Sequence, residues 1–269
     1  MNETIGIIAG ESLLPLLSCR EARRRGWRTV VAAVKGLALP ELAGECDCWA
    51  EFPIGRLGGL IRYFKRQGVS RALMIGRVQH AAVFSAWTAD AKFLRFLTRV
   101  KDRTTTSLLA TLADFFAGEG IEIIDSSFFL KEHLVAEKNY TPRLRLTKAL
   151  ARDIEFAWEK AWGIAALDIG QTVCVKGRAV VAVEAMEGTD RAIERATAIA
   201  GPGLVVAKVS RPGQDMRFDL PVVGSQTMEV LARGRAAAFV LEAGRTLMLD
   251  PEAMIARASR SKIIIVGKS

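Results

Sequence analysis

Near the start of the chain a short apolar run ends in glycine, Thr4-Ile5-Gly6-Ile7-Ile8-Ala9-Gly10. A Leu-rich stretch opened by Pro15 follows, and Thr29 to Val34 is apolar again. Short runs rich in Ile and Val read as buried strands. The stretch between them, running to Arg25 and stopped by Gly26, reads as a helix. Strands joined this way lie parallel, because a helical crossover, not a tight turn, connects them. Parallel sheets are covered on both faces, so this opening points to an α/β architecture.

The alternation repeats. Leu57, Leu60, Ile61 and Phe64 fall at helical spacing, with Arg62, Lys65 and Arg66 on the other side and Gly68 at the end. Val69 to Ile75 is the next strand, closed by Gly76. Thr104 to Ala117 is helical, and Ile121 to Ile124 is a fourth strand. Four strands alternating with helices predict a doubly wound domain over 1–132. Between Leu130 and Thr147 the pattern fades around the turn Asn139-Tyr140-Thr141-Pro142, so 133–146 is expected to be a linker. A helix from Thr147 to Leu167 follows, with Leu150, Ile154, Trp158 and Trp162 on one face as core residues. Then come a hairpin (Thr172 to Val175, Ala179 to Val183), a helix (Thr189 to Ala200), a strand (Leu204 to Val209), a helix (Gly224 to Arg233) and strands at Ala237 to Leu241 and Ile263 to Val266. This texture predicts a second α/β domain, 147–269, with a mixed sheet.

With 269 residues and 50% hydrophobic content, the chain can bury a sizeable core, which excludes disorder as its main state. No apolar run reaches the ~18 residues that span a bilayer. Met1-Asn2-Glu3 does not begin a secretory signal, so a cytoplasmic protein is expected. The net charge of +9 favours anionic partners. No nucleic-acid motif accompanies it, and a nucleic-acid partner is not expected. Cys19, Cys46, Cys48 and Cys174 complete no zinc pattern, and with only His80 and His133 present they read as buried or incidental thiols.

Three places carry candidate chemistry. At the first, Ala9-Gly10 and Gly76-Arg77 end two strands of one sheet, where turns with free N–H groups could receive a phosphate. No full G-x-G-x-x-G is present, and an ordinary strand-to-helix turn explains Gly10 equally well. At the second, Gln171 precedes the hairpin, and Glu184, Glu187, Gly188, Thr189 and Asp190 follow it. Thr189 is a natural N-cap and Asp190 suits a first turn. Glu184 and Glu187 need another account, and carboxylates at a strand end would also suit a Mg²⁺-phosphate site. At the third, Lys208 and Arg211 lead into Gln214-Asp215-Met216-Arg217-Phe218-Asp219-Leu220-Pro221. A solvated loop with local ion pairs is the plain reading. The density of carboxylates and cations between two prolines is what phosphate chemistry uses.

These segments, in this order, resemble the UDP-2,3-diacylglucosamine pyrophosphatases of lipid A synthesis, of the type that is not a calcineurin-like phosphoesterase. Gly170-Gln171, Glu184 to Asp190 and Gln214 to Pro221 carry the resemblance. Ile8-Ala9-Gly10 with Pro15-Leu16, Leu57-Gly58 through Lys65, and Met74 to Val78 agree with it. Lys101-Asp102-Arg103 holds one acid where relatives often show two. The resemblance implies a Rossmann-like N-terminal domain, a distinct C-terminal domain and a ligand held between them. It implies Mg²⁺-dependent hydrolysis of UDP-2,3-diacylglucosamine to UMP and 2,3-diacylglucosamine 1-phosphate (lipid X), with water attacking the β-phosphorus. An essential aspartate is implied at Asp215 or Asp219. On this basis Asp215 and Asp219 are the expected catalytic and metal-binding pair, completed by Glu187 and Asp190. Substrate contacts are expected from Ala9, Gly10, Gly76, Arg77, Gln171, Glu184, Gly188, Thr189, Lys208, Gln214 and Arg217. A peripheral contact with inner-membrane lipids and a homodimer complete the expectation. The competing readings are a non-catalytic nucleotide-sugar-binding regulator and a metal-dependent UDP-sugar glycosyltransferase.

Overall fold

The computed structural model describes residues 3–78, 89–100 and 104–269; His80 and Asp102 lie outside the described residues. The chain divides into two compact units, residues 1–131 with Met216–Phe218, and the remainder.

The first unit opens with β1 (Thr4–Ala9), α1 (Leu14–Arg24) and β2 (Arg28–Val34). Strand β3 (Cys48–Phe52), helix α2 (Leu57–Arg66), strand β4 (Arg71–Ile75), helices α3 (Ala91–Leu97) and α4 (Thr105–Ala117) and strand β5 (Glu122–Ile123) follow. The sheet order is β3-β2-β1-β4-β5, with every pair parallel. The α/β class expected from the alternation is what the chain adopts. Sequence reading passed over β3, an edge strand whose residues are half-buried or exposed, so no continuous apolar run marks it. It also passed over α3. There Asp90 accepts from Phe93 N at 2.9 Å, and its other oxygen accepts from Gly58 N at 2.7 Å, so one carboxylate caps two helices. Because β2 lies on one side of β1 and β4 on the other, the strand order reverses direction between β1 and β4.

The second unit contains β6 (Lys138–Asn139), α5 (Lys148–Ala166), β7 (Thr172–Lys176), β8 (Ala179–Val183) and α6 (Thr189–Ala200). It continues with β9 (Val205–Lys208), β10 (Val222–Val223), α7 (Ser225–Arg233), β11 (Ala238–Glu242), β12 (Leu247–Met248), α8 (Pro251–Arg260) and β13 (Ile264–Lys268). Its main sheet runs β6-β13-β11-β9-β7-β8. The central strands β13, β11 and β9 are parallel, while β7 runs antiparallel to β9 and to β8, and β6 antiparallel to β13. The sheet is therefore mixed, as expected. Two-residue strands such as β6, β10 and β12 are too short to leave a periodic signal. The stretch 133–146, expected as a linker, carries β6, and Thr141 Oγ1 accepts from Ile265 N at 3.1 Å, which fixes it to this sheet.

Both faces of the central strands are apolar because both are covered. Val205 and Ala207 point to a core with α5, and Val206 to a core with Ile193, Met228, Leu231 and Met254 from α6, α7 and α8. On α5 the fully buried stripe is Ile154, Ala157, Ala161 and Ala165, rotated from the expected one. Small alanines let the helix approach the sheet, and Trp158 and Trp162 flank it, edge to face at 6.0 Å. Helix α8 was legible but passed over: Pro251 stands in its first turn, where a missing N–H costs nothing. All four cysteines are free thiols. Burial pushes Cys174 up to about 12, which leaves it inert.

Candidate active site

Lys208 ends β9, and its side chain is 8% exposed. Its ammonium donates to Thr189 Oγ1 at 2.7 Å and stands 4.0 Å from Glu184 Oε2. The Thr189 hydroxyl donates to Glu184 Oε1 at 3.0 Å. Thr172 Oγ1 lies 3.3 Å from the same hydroxyl. A hydroxyl has one proton to give and two lone pairs, so Thr172 is the donor in that contact and Thr189 is saturated. Each residue arrives from a separate strand end or helix start. Glu184 follows β8, Thr172 opens β7, and Thr189 is the first residue of α6. Gly170 permits the approach: a Cβ there would meet Glu184 O at 1.8 Å.

Thr189 was expected to cap α6. Instead Gly188 occupies the cap with no side-chain bond, and the threonine hydroxyl is committed to Lys208 and Glu184. The helix therefore starts with backbone N–H groups that no cap side chain satisfies, beside a buried cation. Both favour an anion.

Burial drives the Lys208 pKa down from its ordinary 10.5, against the pull of Glu184, Asp219 and Asp190. Those three carboxylates therefore act on one ammonium. Asp190 accepts from Thr227 Oγ1 at 2.8 Å, which holds it in place. Glu184 Oε2 is buried without a hydrogen-bond partner. Ser210 Oγ and Thr246 Oγ1 in the second unit are in the same condition. Buried polar atoms left without partners mark places where water or a ligand completes the bonding.

The segment after β9 is laced by one side chain. Gln214 Oε1 accepts from Gln171 Nε2 at 2.8 Å and from Arg211 N at 2.7 Å, while Gln214 Nε2 donates to Asp219 O at 2.9 Å. Asp219 N in turn donates to Asp215 O at 3.2 Å. Of the expected residues, Gln171, Glu184, Thr189, Asp190, Lys208, Gln214 and Asp219 are thus brought into one cluster, with Asp215 bonded to it through its backbone. Arg217 lies over the Phe218 ring at 4.9 Å, and these two residues belong to the first unit. Glu187 stands apart. Its carboxylate pairs with Arg195 at 2.5 Å and accepts from Ala185 N at 3.0 Å, and the Arg195 guanidinium holds it below the usual carboxylate range.

In the first unit Gly10 and Gly76 meet backbone to backbone at the ends of β1 and β4. A Cβ on Gly76 would lie 2.6 Å from Gly10 C, and Gly76 has φ +100. The amides of Gly10, Glu11 and Arg77 are not free for a phosphate. Gly10 N donates to Ile75 O at 2.9 Å and Glu11 N to Arg77 O at 3.0 Å, because Glu11 and Arg77 extend the sheet by an antiparallel bridge. Ala9 is fully buried, and Arg77 is exposed. Sequence reading also missed Thr172, Glu242 and Arg245. Glu242 could have been found as the one charge closing an apolar strand, Ala238–Glu242, at the sheet end where ligands bind.

Among the described residues no three of His, Cys, Asp and Glu converge in the manner of a metal cage. Mg²⁺ needs no such cage, since it keeps several waters and takes one or two carboxylates plus substrate phosphates. Asp219 and Asp190, which both act electrostatically on the buried amine, fit that sparse donor set; Glu187, paired with Arg195, does not.

Two α/β units, one with a buried amine and carboxylates at the carboxyl ends of its strands, define a two-domain α/β enzyme. The model described as the LpxI N-terminal domain matches residues 4–133, and that described as the LpxI C-terminal domain matches 137–266. The chain belongs to the LpxI family. It is similar to UDP-2,3-diacylglucosamine pyrophosphatase LpxI of Caulobacter vibrioides, with 33% identity over 279 residues, covering 98% of this chain and 96% of that protein. The family resemblance drawn from the motifs is thereby shown. No helix among the described residues is long and apolar enough to cross a membrane.

Proposed function

We propose that the protein hydrolyses the pyrophosphate bond of UDP-2,3-diacylglucosamine, releasing UMP and 2,3-diacylglucosamine 1-phosphate, as a step in lipid A synthesis. The observation that carries this reading is the Lys208 ammonium, buried and held by Thr189 beside the uncapped start of α6. A diphosphate is repelled by incoming nucleophiles and gains charge on its leaving oxygen as the bond breaks. Lys208 and the first amides of α6 supply fixed positive charge where that negative charge collects. Gln214 sets the path of the Asp215–Asp219 segment, so that a carboxylate can orient the attacking water or take its proton.

Mg²⁺ belongs to the same proposal. Asp219, Asp215 and Asp190 would hold it. Bound there it would neutralise phosphate charge and lower the barrier to an anionic leaving group. The water-soluble nucleotide end of the substrate and the basic surface support a cytoplasmic site of action with peripheral contact to anionic lipid.

The test is to incubate the protein with UDP-2,3-diacylglucosamine and Mg²⁺ and identify the nucleotide released. UMP supports hydrolysis between the phosphorus atoms. UDP would instead indicate transfer of the sugar, and binding without turnover would indicate a regulator.

A further inference from the structure

Glu242 closes β11 as a buried carboxylate, 5% exposed, in a strand that is otherwise apolar. Its strand neighbours β9, with Leu241 in register with Lys208, so Glu242 stands one step beyond the Lys208 level. One oxygen, Oε2, accepts from Ser210 N at 2.5 Å. The other, Oε1, lies 3.7 Å from Arg245 Nε, and Arg245 donates through Nη1 to Gln214 O at 3.4 Å. A single buried charge is thus tied directly to the segment that follows β9, and through one arginine to the residue before Asp215.

Burying a carboxylate is costly, and an apolar residue of similar volume at such a place is often neutral or stabilising. Packing alone gives no reason for glutamate here. Its two partners do, because each fixes a different point of the same segment. Ser210 sets where the chain leaves β9, immediately after the lysine, and Gln214 sets the branch point from which Gln171, Arg211 and Asp219 are held. We infer that Glu242, acting with Arg245, is a positioning residue that sets Ser210–Asp215 and Asp219 against Lys208 for the reaction. The inference rests on the function proposed above only for its kinetic readout.

The experiment compares the full-length protein with Glu242→Leu, Glu242→Gln and Arg245→Met. Amide hydrogen exchange over 210–215 and at Asp219 is the first readout, and kcat and KM for UDP-2,3-diacylglucosamine with Mg²⁺ are the second. Exchange in this segment should accelerate in every variant while the core strands stay protected. A displacement of about 1 Å in a reacting group can cost ~10²-fold in rate, so kcat should fall about that much in Glu242→Leu and less in Glu242→Gln, with little change in KM. Glutamine keeps an acceptor for Ser210 N and loses only the ionic link to Arg245, so partial rescue is expected. Arg245 is half-exposed, and its variant serves if a Glu242 variant does not fold. Unchanged exchange over 210–215 and at Asp219 in any folded variant overturns the inference, as does full kcat in Glu242→Leu. If the wild-type protein fails to turn over this substrate while exchange still accelerates in the variants, the proposed function falls and the positioning role stands.

Discussion

Lys208 and Thr189 meet at 2.7 Å, amine to hydroxyl, and the same hydroxyl donates a hydrogen bond to Glu184 at 3.0 Å. The contact joins the end of one strand to the first turn of a helix 19 residues earlier in the chain. It also places the lysine among carboxylates where water barely reaches. The stability and the chemistry of the site both follow from how this small network is satisfied.

Lys208→Met removes the cation and leaves Glu184 buried without it. A broken buried pair costs about 3 kcal/mol, and urea denaturation should show a loss of that order. Adding Glu184→Leu to the same chain should recover part of it. Strict additivity of the two changes would mean that the residues are not coupled.

Thr189→Val preserves shape and deletes the hydroxyl. Lys208 and Glu184 each lose a hydrogen bond, so stability should drop by about 1–3 kcal/mol. Turnover should fall as well, since the ammonium is no longer held in place. A valine variant with unaltered kcat and melting temperature would show that the hydroxyl is a bystander.

Raising the pH should separate activity from stability. Burial depresses the Lys208 pKa below 10.5, so the folded state holds this proton less firmly than the unfolded chain. The cost of the buried charge is fully present below the depressed value. It is relieved as pH rises through that value towards 10.5, so the lysine's contribution to stability increases across this window. Activity that depends on the charge should fall as pH rises through the depressed value. Lys208→Arg, if active, should carry the plateau of kcat/KM to higher pH. A high-pH limb of the profile that stays in place in the arginine variant would assign the titration to another group.

Asp215→Asn and Asp219→Asn should each reduce kcat by about 10²-fold or more, the scale on which positioned charge acts. Asparagine conserves the volume of each side chain, so both variants should stay folded. Chelation with EDTA should abolish turnover and Mg²⁺ restore it. Near-normal rates in both variants would remove these carboxylates from the mechanism.

Gly76→Ala tests the first unit. The added carbon would fall 2.6 Å from the Gly10 backbone at a residue with φ +100, and backbone cannot swing aside as a side-chain tip can. Overpacking and strain together should cost about 2–3 kcal/mol, visible as a lowered thermal midpoint. An unchanged midpoint would mean that the β1–β4 junction is looser than its geometry indicates.

The strands of the first sheet were legible because each buried on both faces writes a continuous apolar run, as Val30 to Val34 does. Edge strand β3 was not, since Trp49, Glu51 and Phe52 alternate with no buried side. At the site the acids and Lys208 could be named from their spacing, whereas Glu242 stood alone in its strand, with nothing nearby in sequence to suggest a partner. The Thr189 cap was misread because local preference favours a capping hydroxyl; tertiary contact with Lys208 outbid it.

Sequence alone determined the two α/β units, the mixed character of the second sheet and the set of charged residues at its strand ends. Those follow from periodicity and composition, which act over a few neighbouring residues. Only the tertiary structure decided which groups meet: Glu184 with Lys208 across 24 positions, the Ser210 amide with Glu242 across 32. Such pairings depend on the order in which strands lie side by side, and that order is set by helix-covered packing of the whole sheet rather than by any local stretch of chain.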